Sequence, residues 1–104
     1  MTQTYDAIVI GAGVMGASIA FHLAERGLKV AILERKVTAS GATGHSSGLV
    51  RMHYDLAAES ELTFASYKNY FSNWKEHVGG DCGFMQTGFM QIAKREHEDK
   101  LRGN

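Results

Sequence analysis

Six consecutive residues, Gly11-Ala12-Gly13-Val14-Met15-Gly16, followed eighteen positions later by an acid, Glu34, have the types and spacing needed to hold a dinucleotide. A diphosphate is held by main-chain N–H groups at a helix N-terminus, and a Cβ at the glycine positions would keep it out of hydrogen-bond reach. In this reading Gly11 permits a tight turn, Gly13 lets the main chain approach the pyrophosphate, and Gly16 allows close packing of helix on sheet. The backbone amides of residues 11 to 16, those of Ala12, Val14 and Met15 included, face the phosphates. Glu34 accepts from ribose hydroxyls, and its charge repels a 2′-phosphate, which disfavours NADP, although Arg35 beside it leaves a small opening. The plainer reading is a glycine-rich turn kept only for packing.

Three elements must position these residues. Tyr5 to Ile10 (YDAIVI) is a short β-branched run ending at glycine, suited to a strand buried on both faces of a parallel sheet. Val14, Ala17, Phe21, Ala24 and Leu28 recur at helical spacing, with Gly27 where a helix should stop. Lys29 to Leu33 (KVAIL) supplies a second strand, which completes a βαβ unit of roughly thirty residues, right-handed by the general rule. Thr38 to Gly48 (TASGATGHSSG) has no hydrophobic period and reads as a loop, or a loop leading into a helix. From Leu56 to Val78, the spacing of Leu62, Tyr67, Tyr70, Phe71, Trp74 and Val78 predicts one long amphipathic helix ended by Gly79-Gly80, with its aromatic residues in a core. Phe84 to Ala93 (FMQTGFMQIA) predicts a β-hairpin about Thr87-Gly88, and Lys94 to Arg102 a charged helix.

Composition narrows the partner. Eleven basic and eleven acidic residues cancel, with five histidines taken as neutral, so no overall field draws the chain to nucleic acid or an anionic membrane. A small molecule is the expected partner. At 104 residues the chain can build one small domain but is short for a complete dinucleotide-dependent enzyme, so a portion of a catalytic protein is expected. Its one cysteine, Cys82, excludes an internal disulfide framework and is expected to be structural or buried, in a reducing cytosol. Neither a signal peptide nor a membrane span is visible. His22, His77 and His97 sit among charges without metal-ligand spacing, so no metal is expected.

The first glycine motif accommodates FAD and NAD alike, because both present an adenosine diphosphate to the same turn. A second segment, SGATGHSSGLVR, arrives a few residues after Glu34 and resembles the corresponding stretch of the glycine oxidase, sarcosine oxidase and D-amino-acid oxidase family of flavoenzymes. The resemblance is most specific from Gly41 to Tyr54, and the chain matches only the N-terminal quarter or so of a typical member. It implies that Ser40, Gly41, Ala42 and Thr43 touch the pyrophosphate and ribityl region of FAD, and that Gly44, His45, Ser46, Ser47 and Gly48 pass near the isoalloxazine ring. The residue-level alternative is a flexible polar linker. GATGHSSGL is also similar to the GSTxHxxGL stretch of the dimethylglycine dehydrogenase branch, in which the histidine bonds covalently to the flavin. The resemblance thus admits a bond from a His45 ring nitrogen to the flavin 8α carbon, or a mere contact with the ring. It further aligns Arg51 with an arginine that helps hold the substrate carboxylate, a task suited to a planar two-pronged donor; the alternative is a solvated surface residue, or one paired at a helix terminus with Asp55 or Glu59. His53 and Tyr54 could line the same cavity, with ordinary packing the simpler role.

The resulting expectation is an α/β fold: a partial, N-terminal Rossmann-type βαβ FAD-binding unit in residues 1–78, followed in residues 79–104 by the start of an antiparallel substrate-domain sheet. The implied function is that of the N-terminal portion of an FAD-dependent oxidoreductase. It would oxidise an amino acid or N-methyl amino acid of the sarcosine, glycine or dimethylglycine type, by hydride transfer to flavin N5. An NAD-dependent Rossmann dehydrogenase and a non-catalytic nucleotide-binding fragment are the two alternatives.

Overall fold

A computed structural model describes residues 2–103. The chain divides into two compact units, Met1–Leu49 and Val50–Asn104.

The first unit is the βαβ arrangement that its sequence periods call for. Strand β1 (Ala7–Ile10) and strand β2 (Val30–Leu33) run parallel in the register Ala7 to Val30 through Ile10 to Leu33. The Asp6 carboxylate accepts the Lys29 N–H at 2.7 Å at one end of the pair, and the Gly11 N–H donates to the Leu33 carbonyl at 2.7 Å at the other. Between them helix α1 (Val14–Glu25) crosses back. It ends as Gly27 dictates: that residue takes a φ of +82°, its N–H donates to the Ala24 carbonyl, and the Leu28 N–H reaches back to the Leu23 carbonyl. This Schellman closure ends α1 three residues before the last apolar position of its helical stripe. Ala20 of α1, 7% exposed, is the only buried residue among those described. Alternate residues of β1, Ala7 and Val9, are half-buried, whereas Ile8 and Ile10 on the opposite face are 60% and 86% exposed. The strand is therefore covered on one face, not on both as its composition suggests.

Within residues 38–48 one short helical turn, α2 (Ala42–His45), interrupts the loop. In the second unit the long helix expected over residues 56–78 is broken. Helix α3 (Ala57–Asn69) gives way at Tyr70 to a 3₁₀ turn (Phe71–Asn73) and then to a single turn, α4 (Trp74–His77). The break falls at Tyr70, whose φ of −128° leaves the helical range, and Ser72 Oγ donates to the Lys68 carbonyl at 2.9 Å just beyond it. The bend lets Phe71 meet Trp74 and Phe84 at centroid separations of 5.6 and 5.4 Å, and Tyr67 meet Phe84 at 6.1 Å. The aromatic residues form a half-buried cluster, and Cys82 beside it is exposed rather than buried.

The expected hairpin does not form among the described residues: 78–94 carry no strand pairing, and Met85, Phe89, Met90 and Ile92 are exposed. Two short strands gain too little from each other without an apolar surface beneath them. The expected helix over residues 94–102 is a 3₁₀ turn (Arg95–His97) running into helix α5 (Glu98–Arg102), where Glu98 pairs with Arg102 at 2.9 Å.

Candidate cofactor site

At the end of β1 the chain turns at Gly11, whose φ of +103° a side chain would resist. The turn brings the Ala12 N–H onto Glu34 Oε2 at 2.9 Å, across from the end of β2. Glu34 Oε1 accepts the Lys36 N–H at the same distance, so one carboxylate ties the glycine turn to the strand that follows it. These bonds, the one from Ala12 first and then the one from Lys36, hold the Glu34 pKa below its ordinary value, with a smaller push from Arg35. The carboxylate stays ionised and keeps acceptor capacity beyond the two amides it already takes.

Gly13 is the residue before α1, in extended conformation. A Cβ on it would stand 3.0 Å from Thr43 Oγ1, and a Cβ on Gly16 would run into the Gly11 carbonyl oxygen. Both glycines are thus demanded by close approach: Gly13 by the second glycine-rich segment, Gly16 by the turn itself. Thr43 Oγ1 accepts the Val14 N–H at 2.9 Å, while the Ala39 N–H donates to the Ala12 carbonyl at 3.0 Å. Two contacts therefore bind the segment 38–44 onto the first turn. The N–H groups of Gly13, Met15 and Gly16 have no protein acceptor among the described residues, which leaves donors for an anion at the start of a twelve-residue helix. The Thr43 hydroxyl uses its oxygen on Val14 and retains its own proton to donate.

Gly13, Glu34, Arg35, Ser40, Gly41, Ala42 and Thr43 line one cleft of about 240 Å³. Gly11, Ala12 and Gly16 shape its wall through backbone geometry, and the side chains of Val14 and Met15 lie exposed. His45, Ser46, Ser47 and Gly48 are not among its lining residues. His45 closes α2 and is exposed, and Ser46 Oγ accepts the Gly48 N–H at 3.1 Å in a local turn. Arg51 lies in the second unit, its guanidinium 4.7 Å from the centre of the Tyr54 ring and, among the described residues, in no ion pair with Asp55 or Glu59. His53 packs against Phe89 at 5.9 Å.

Two contributors carry no mark of their own in the sequence. Lys36 lines the cleft and donates its amide to Glu34. Ala39 holds a φ of +62°, rare for a residue with a Cβ, and its carbonyl sits where a Cβ on Gly44 would fall. The glycine at position 44 is the one signal of that fold-back.

Residues 6–104 match the family described as FAD dependent oxidoreductase. The chain belongs to that family. Membership settles the choice of cofactor that the first glycine motif leaves open, in favour of FAD. Over 104 residues the chain is 31% identical to glycine oxidase of Geobacillus kaustophilus (strain HTA426), covering 94% of itself and 28% of that enzyme. It is 33% identical over 89 residues to mitochondrial dimethylglycine dehydrogenase of Homo sapiens, covering 85% of itself and 10% of that protein. Its fold superposes on the crystal structure of glycine oxidase from Bacillus cereus ATCC 14579 with a TM-score of 0.71 at 33% identity, over 96% of this chain and 29% of that one. The chain therefore spans less than a third of these relatives.

Proposed function

We propose that these residues are the N-terminal part of an FAD-dependent oxidoreductase that oxidises a small amino acid or N-methyl amino acid, of the glycine, sarcosine or dimethylglycine type. The observation that carries this reading is the cleft between Gly13, Glu34 and Thr43, where unsatisfied helix N-terminal amides and an ionised carboxylate stand in the arrangement an adenosine diphosphate requires. The glycine oxidase and dimethylglycine dehydrogenase relatives supply the substrate class.

In this proposal the amides of Gly13, Met15 and Gly16, with the Thr43 hydroxyl, hold the pyrophosphate. Glu34 accepts from the ribose hydroxyls, and Arg35, Ser40, Gly41 and Ala42 border the same cofactor half. His45, Ser46, Ser47 and Gly48 follow toward the flavin ring, with His45 the candidate for a covalent bond to it. FAD, when bound, supplies the redox chemistry by accepting hydride from the carbon next to the substrate nitrogen. Arg51 orients the substrate by donating two parallel hydrogen bonds to its carboxylate. Residues 1–78 form the first part of the FAD-binding domain and 79–104 begin a substrate domain, whose antiparallel sheet forms when the 84–93 segment gains an apolar surface to pair on. A small amine or amino acid in a reducing, aqueous compartment is the natural partner.

The test is anaerobic addition of glycine, sarcosine or dimethylglycine to the flavin-loaded protein at the length of its relatives. Bleaching of the visible flavin band by at least one of them supports the reading, and an unchanged spectrum with all three contradicts it. Acid denaturation of the same protein decides the bond at His45: colour in the precipitate is the covalent result, and colour wholly in the supernatant rejects it.

A further inference from the structure

Arg51 stands on an irregular segment, where a long side chain ordinarily samples many rotamers. Its one described contact is the face of Tyr54, 4.7 Å away. A ring face engages the positive charge without using the N–H fork, whereas pairing with Asp55 or Glu59 would spend those donors. Tyr54 is itself held. It is half-buried, its N–H donates to Ser60 Oγ at 3.2 Å, and the same hydroxyl donates to the Tyr54 carbonyl at 3.3 Å. Ser60 lies in the first turn of α3, with its own amide on the Leu56 carbonyl and its carbonyl accepting from Thr63 Oγ1. A chain of contacts therefore runs from a helix, through a clasped tyrosine, to a guanidinium with unspent donors.

We infer that Tyr54 is a positioning residue for Arg51, an aromatic platform that steadies the guanidinium while leaving its paired N–H groups free for a substrate carboxylate. The inference rests on the reading that Arg51 meets that carboxylate. It goes beyond it by assigning the role to the ring of Tyr54 rather than to its hydroxyl or to an acidic partner.

The experiment replaces Tyr54 with phenylalanine and then with phenylalanines of increasing fluorination, which keep the shape and drain the negative face of the ring. The affinity of the flavin-loaded protein for acetate is read from the perturbation of the flavin spectrum. Tyr54→Phe is expected to bind acetate as the unaltered protein does, and affinity should then fall stepwise, by about three- to tenfold across the series. Flavin content should stay constant. A series with no trend, or a loss already complete in Tyr54→Phe, overturns the proposal. Arg51→Met separates the two layers: weakened acetate binding there with a flat fluorination series defeats the platform alone, and undiminished binding defeats the Arg51 reading together with it.

Discussion

At the scale of single residues, the site depends on what is missing from Gly13 and Gly16 and on one charge at Glu34. A Cβ at Gly16 has nowhere to go but the Gly11 carbonyl, so Gly16→Ala is expected to cost about 1–3 kcal/mol in thermal or denaturant unfolding. Glu34 accepts two amides and has a depressed pKa, so it binds fewer protons folded than unfolded. Its contribution to stability is present above its ordinary value of 4.5 and is lost as pH falls through the lower folded value. Glu34→Gln should flatten that acid limb of the stability profile, and an unaltered limb in the variant would show that the two hydrogen bonds carry no weight. The same substitution removes the charge that disfavours a 2′-phosphate, so the preference for FAD over phosphorylated analogues should narrow.

At the scale of elements, the βαβ unit was legible because its signals are local. Four apolar letters, three of them β-branched, make β1, a helical stripe makes α1, and Gly27 stops it with a left-handed residue. Gly27→Ala should cost about 1–2 kcal/mol by forcing a Cβ into that conformation, measurable as a lower melting midpoint. The junction of the two glycine-rich segments was less legible. Thr43 looks like any small polar loop residue, and its bond to the Val14 amide depends on where residues 38–44 fold back, which Ala39 decides through a conformation signalled only by the glycine at position 44. Thr43→Ala should weaken FAD binding while Thr43→Ser retains it, by titration followed through flavin fluorescence. Helix α3 stops short of residue 78 although the aromatic spacing runs on: the spacing reports which residues seek cover, while Ser72 and Asn73 beneath it are weak helix formers.

At the scale of the whole molecule, the first unit shows a covered and a bare face. Ile8 and Ile10 on β1, with Leu33 beside Ile10 on β2, are exposed on the bare face, and Met85, Met90 and Ile92 are exposed in the second unit. Hydrophobic patterns report that a residue seeks cover, not what supplies it, and the chain spans only 28% of its glycine oxidase relative. The misjudged strand burial and the unformed 84–93 hairpin share this cause: each depends on an apolar surface laid against it, which the letter pattern does not name. By the same reasoning the 104 residues alone should bind an apolar dye, melt broadly and turn over no amine, whereas a polypeptide of the relatives' length should melt cooperatively. The most direct measurement compares flavin content per chain, at that length, in the unaltered protein and in Gly13→Val, whose backbone tolerates the change but whose side chain invades the space shared with Thr43. About one FAD per chain in the former, and its loss from a variant with unchanged circular dichroism, is expected if the turn holds the cofactor. Full flavin content in folded Gly13→Val would mean that FAD binds elsewhere.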